Sequence, residues 1–112
     1  MKVRYVALLA LACLLSACAN VQDVKKREPV FYGSSAKSAQ EYTRCVAASW
    51  TGLGVEFVQN TLSNGYELVQ NGGMGVEAVL TVIYWRNQTE ASLVTRIASR
   101  DQRIVQAANL CL

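Results

Sequence analysis

The sequence predicts an α+β domain of two layers, α-ββββ-α, with a four-stranded antiparallel sheet and two disulfide-linked helices on one of its faces. Three observations carry that expectation. Apolar residues recur at helical spacing in 38–52, at strand spacing across 54–98, and at helical spacing again in 99–112. Clusters of Gly and Asn cut the middle region into short runs of hairpin length. Cys45 and Cys111 fall on the apolar stripes of the two helical segments.

The first helix opens at Ser38, which forms a capping box with Glu41. Tyr42, Cys45, Val46, Ser49 and Trp50 then follow at i, i+3, i+4, i+7 and i+8, and Gly52 is the expected stop. "GVEFVQNT" and "GYELVQ" flank Ser63-Asn64-Gly65, a hairpin signal. Asn71-Gly72-Gly73-Met74-Gly75 marks the next turn. "VEAVLTVIYW" is apolar on both faces, with Val76, Ala78, Leu80, Val82 and Tyr84 on one and Val79, Ile83 and Trp85 on the other. "RNQT" turns the chain into a fourth strand, "EASLVTRIA". The closing helix is expected to be capped by Ser99 with Gln102, and Ile104, Ala108 and Cys111 share its inner stripe. Antiparallel strands between two helices on one sheet face would bring Cys45 and Cys111 together.

The N-terminus has a different character. Lys2 and Arg4 precede ten apolar residues, Val6 to Leu15, and then the small residues Ser16 and Ala17. That order is the one a secretory signal uses. The run is shorter than the roughly 20 residues that span a bilayer. Leu15-Ser16-Ala17-Cys18 resembles the lipobox of bacterial lipoproteins. The resemblance implies cleavage before Cys18, a diacylglyceryl group on its thiol and acylation of the new amino terminus. Ala19, where the family's inner-membrane retention signal would place Asp, implies an outer-membrane anchor facing the periplasm. The expected organisation is a signal peptide over 1–17, the lipidated cysteine and a tether over 18–37, with a short edge strand at "PVFYG" as the alternative, and a small periplasmic domain over 38–112. Several acyl chains hold where one would not, so the protein would be anchored to the membrane without crossing it.

Removing residues 1–17 from the 112 leaves 95, one small domain. Of 11 basic residues, Lys2 and Arg4 leave with the signal, so 9 face 8 acidic ones and the balance is about +1. No basic field of the kind nucleic-acid binders carry remains. Cys45 and Cys111 are then the only cysteines left besides Cys18, and an exported domain favours their disulfide. The chain contains no His, hence neither the commonest general base nor the commonest metal ligand. Glu56, Glu67 and Glu77 fall on different strands and could approach one another, but isolated surface carboxylates are the simpler reading. No enzyme activity, cofactor, metal or nucleic acid is therefore expected.

With both helices on one face, Val79, Ile83, Trp85 and Val94 would form an apolar patch on the other. Such patches mark interaction sites, and Trp is enriched among hot spots. The competing expectation is that the tether, with Val30, Phe31 and Tyr32, folds over this face. The functional expectation is a lipid-anchored, non-enzymatic protein that binds an envelope protein, or a second copy of itself, through the sheet. The alternative is an inhibitor or immunity lipoprotein acting against a toxin or a peptidoglycan lytic enzyme. The lipobox gives the first prediction. Replacing Cys18 with Ser should abolish lipid attachment and leave an uncleaved or soluble precursor, and unchanged membrane retention of that variant would refute the anchor.

Overall fold

The computed structural model describes residues 20–73, 75–96 and 102–112. The expected signal segment with Cys18, the expected Ser99 cap and Met74 lie outside the described residues. Eight elements follow one another: α1 (Val21–Lys25), β1 (Phe31–Ser35), α2 (Ala39–Gly52), β2 (Phe57–Leu62), β3 (Gly65–Gly72), β4 (Gly75–Trp85), β5 (Gln88–Thr95) and α3 (Gln102–Leu110). The sheet is wholly antiparallel in the order β1-β5-β4-β3-β2. It has five strands rather than the expected four, because Phe31–Ser35 pairs with β5 from Phe31↔Leu93 to Ser35↔Thr89. The expected tether over 18–37 thus carries a helix and a strand. Asn20 caps the helix by accepting from the Asp23 amide at 3.0 Å.

Helix α2 starts where its capping box places it, with the Ser38 hydroxyl accepting from the Glu41 amide at 3.1 Å. It ends at Gly52, but the left-handed residue that closes it is Gly54, with φ 78°. The chain has by then crossed from one edge of the sheet to the other, since β1 and β2 are the two edge strands. From β2 to β5 each strand pairs with the next as a hairpin. Arg86 and Asn87 both take positive φ, 52° and 63°, as the two-residue turn between twisted strands requires. Gly65 is needed for a different reason. A Cβ there would lie 1.8 Å from the Val82 carbonyl oxygen, so β3 can approach β4 so closely only without a side chain.

One face of the sheet, the helical face, carries α2 and α3. Leu68, Leu80, Val82 and Leu93 meet Tyr42, Val46 and Trp50 from α2 and Ile104 and Ala108 from α3, all fully or almost fully buried. Trp50 stacks edge-on against Phe57 with ring centres 5.7 Å apart, tying α2 to β2. The Tyr42 hydroxyl donates to the Ala108 carbonyl at 2.7 Å and ties α2 to α3. Burial pushes that phenol well above its usual range and keeps it a donor.

Cys45 and Cys111 are bonded, with Cα atoms 5.8 Å apart. The bridge differs from the expected helix-to-helix staple, because Cys111 lies one residue beyond α3. It joins the middle of α2 to the chain end that leaves α3. The same end is held twice more: Ser35 Oγ donates to the Leu112 carbonyl at 2.8 Å, and Lys37 Nζ to the Cys111 carbonyl at 2.7 Å.

A register shift at Gln70/Asn71 corrects the face of Val76. Gln70 pairs with Ala78 but Asn71 pairs with Val76, so Glu77 is the extra residue of a bulge. The bulge turns Val76 onto the face opposite Ala78, Leu80 and Val82, where it joins Val69, Val79 and Val94. Among the described residues no helix is long and apolar enough to cross a membrane.

The disulfide encloses a separation of 66 residues. Replacing both cysteines with Ala should lower stability by about 4 kcal/mol on the chain-entropy account. Urea unfolding of the oxidised wild type beside the double variant measures it, and thiol titration of the unfolded, unreduced wild type should find neither thiol free.

Candidate functional site

The face opposite α2 and α3 is the place to look for function, because its covering is incomplete. Among the described residues only α1 lies on it, and we call it the strap face. Val24 is fully buried against Val69, Val76, Val79 and Val94, with Val21 beside it. Five residues can cover only the end of the sheet where β4 begins. Val79 (1 % exposed) and Val94 (5 %) are therefore core residues beneath the strap rather than surface residues of a patch. The other two expected members lie beyond its reach. Ile83 is half-buried and Trp85 is 53 % exposed.

The competing expectation is corrected in turn. The segment before the first long helix does cover part of this face, but through Val21 and Val24. Val30, just before β1, and Phe31, its first residue, both pack against the helical-face core. Tyr32 points the other way and stands 63 % exposed on the strap face.

An ion pair holds the strap down. Lys25 Nζ lies 2.6 Å from Glu67 Oε2 on β3, and Asn60 Nδ2 of β2 donates to Glu67 Oε1 at 3.2 Å. Burial would raise the Glu67 pKa. The hydrogen bonds from Lys25 and Asn60 and the charge of Lys25 outweigh it and hold the carboxyl below its ordinary value. Glu77 meets a different cation, Arg96, at 2.7 Å. Each of the two carboxylates thus meets its own cation. Among the described residues no group of three or more His, Cys, Asp or Glu is placed to hold a metal ion.

Beyond the strap the face opens into a shallow groove of about 290 Å³, floored by Thr81, Ile83 and Ser92 and walled by Lys25, Tyr32 and Glu90. Partial desolvation and the neighbouring Glu90 carboxylate, which the Tyr32 hydroxyl meets as a donor, raise the Tyr32 pKa. At the far end Trp85 closes β4, and the Arg86 guanidinium stands 5.7 Å from its ring centre. The result is a half-buried aliphatic residue between two exposed aromatics, with a carboxylate and a guanidinium at the rim. Tyr32 and Glu90 were not among the expected members. Both become legible once "FYGSS" is read as a strand, since alternation then puts Tyr32 beside Ser92.

The strap carries a pH signature. The folded Glu67 binds its proton less readily than the unfolded one, so its stabilisation is complete above the unfolded range, near pH 4.3. It is lost as pH falls through the lower folded value. Amide exchange over 20–27, corrected for intrinsic rates, should therefore accelerate below about pH 4 before that of the helical-face core. Glu67→Gln should loosen the strap already at neutral pH and remove the dependence. Equal strap protection across the range would refute the latch.

Compared with known proteins, the chain matches no family model, no curated protein and no solved structure.

Proposed function

We propose that this chain is a lipid-anchored, non-enzymatic envelope protein of the outer membrane's periplasmic side, which binds a protein partner through the open end of its strap face. The observation that carries this reading is the pairing of Trp85 and Tyr32, both more than half exposed, around half-buried Ile83 on a rigid antiparallel sheet. Large aromatics with an apolar centre and a polar rim are the anatomy of a protein-binding patch. Lipobox residues 15–18 and Ala19 supply the anchor and its address.

The strap sharpens the reading. Only Ala19 separates Cys18 from the Asn20 cap, at most about 7 Å of extended chain. A lipid on Cys18 would hold the strap face beside the bilayer, and the partner would be met at the membrane surface. Lys25 is committed to Glu67, so of the basic run Lys25-Lys26-Arg27 two charges remain to meet anionic headgroups.

The inhibitor or immunity reading draws on the same surface. Tyr84, Trp85 and Arg86 stand exposed at the end of a two-residue turn, a rigid tip of the kind that can enter another protein's cleft.

A photoreactive residue at Ile83 in the full chain, expressed in cells, should give a discrete protein adduct. One at Gln106, on the exposed side of α3, should give none. Trp85→Ala should reduce the Ile83 adduct at least tenfold, as loss of a hot spot costing about 1.4 kcal/mol or more would. Adducts to lipid alone, or equal adducts from Ile83 and Gln106, would overturn the reading. The identity of the adduct, an envelope component or a lytic enzyme, separates its two forms.

A further inference from the structure

The outer edge of β2 is built without the devices that keep sheet edges from pairing. Phe57–Leu62 is six residues long and carries no charge, no proline and no bulge against β3. Natural edges are usually blunted by one of these. The opposite edge, β1, is shorter, contains Gly33, and packs beneath the C-terminal Leu112.

The backbone phase of β2 is fixed by its neighbours. The Tyr84 amide donates to the Asn64 carbonyl at 2.8 Å, so even-numbered residues of this stretch of β3 turn their backbone groups toward β4. Odd-numbered ones turn toward β2, where Gly65, Glu67 and Val69 pair with Leu62, Asn60 and Val58. Phe57, Gln59 and Thr61 are thus left with amides and carbonyls directed outward.

We infer that β2 is a self-pairing edge, which joins a second copy of this chain into a continuous ten-stranded antiparallel sheet about a two-fold axis at Asn60. In that register Gln59 of one chain exchanges both backbone hydrogen bonds with Thr61 of the other, twice over by symmetry. Val58 faces Leu62 on the strap face, so the exposed Val58 (53 %) finds an apolar partner. The axis runs perpendicular to the sheet and leaves both strap faces on the same side. Free edge, backbone phase and side-chain match stand without the lipid anchor. If the anchor of the proposed function is present, this symmetry lets both chains enter one bilayer and raises their effective concentration.

The test is made on the full chain in its native membrane, by non-reducing electrophoresis after mild oxidation. Residues facing each other across the axis form a non-hydrogen-bonded pair with Cα atoms about 4.5 Å apart, within reach of a disulfide. Asn60→Cys should give a covalent homodimer. Val58→Cys and Tyr32→Cys, each alone, should give none, because neither meets its own copy. Co-expressed Val58→Cys and Leu62→Cys chains should crosslink to each other, which tests the register with the Asn60–Glu67 hydrogen bond intact. Gln59→Lys with Thr61→Lys places four ammonium groups in two facing pairs at exposed positions and should reduce the Asn60→Cys dimer at least tenfold. The inference is overturned if Asn60→Cys stays monomeric, if all single cysteines dimerise equally, or if Asn60→Cys bonds a different protein. It is overturned equally if the lysine pair changes nothing. None of these outcomes depends on the Ile83 adduct, so the two proposals fail separately.

Discussion

An eleven-residue central strand that is apolar on both faces sets the terms for everything packed around it. β4 puts Ala78, Leu80 and Val82 under the long helices and Val76 and Val79 on the other side. Two helices side by side can cover one face only. Burying Val79 and Val94 in water-free surroundings requires a third element, and the nearest available chain is the segment before β1. Each fully buried valine contributes on the order of 1.5 kcal/mol or more. That gain is enough to order a five-residue helix that would not persist alone. The strap is thus a consequence of β4.

The helical face has the opposite economy, in which several different interactions converge on one end of the chain. The disulfide, the Tyr42 bond to Ala108, the Ser35 bond to Leu112 and the Lys37 bond to Cys111 all fall within residues 108–112. Two come from α2, one from β1 and one from the residue that links them. Edge strand, crossing helix and C-terminus become one rigid body as a result. On the strap face a single buried valine and one ion pair hold α1 to the sheet. The molecule is therefore firm on one side and releasable on the other, and its exposed aromatics stand at the boundary of the releasable side.

Periodicity made the long helices and the hairpins readable, because α2 buries one stripe and β2–β5 are joined by strong local turn chemistry. It also put Ile83 and Trp85 on a face away from the long helices. It misjudged what was short. Val21 and Val24 alone are too few to show a helical period, and a five-residue strand interrupted by Gly33 resembles linker until its partner β5 is known. Val76 went to the wrong face because a bulge changes parity without changing composition. The Lys25–Glu67 pair joins residues 42 positions apart, a distance over which no spacing rule operates. Tyr32 was named only as a candidate cover, yet it belongs to the open surface. Its place depends on strand pairing rather than on its own chemistry.

The proposed anchor and the strap would constrain each other. A flexible tether of twenty residues would let the domain present any face at some distance from the membrane. An ordered strap beginning at Asn20 removes that freedom and leaves only Ala19 between it and Cys18. Were Cys18 lipidated as proposed, the lipid and the strap face would be one mechanical unit, and a pull on Cys18 would act directly on Val24 and on the Lys25–Glu67 pair. Releasing α1 would lengthen the tether and uncover Val69, Val76, Val79 and Val94 in the same step. Reach and apolar surface are gained together, so a partner that binds beneath the strap would draw the domain away from the bilayer. A partner that binds only the open groove beside Ile83 would leave it seated there.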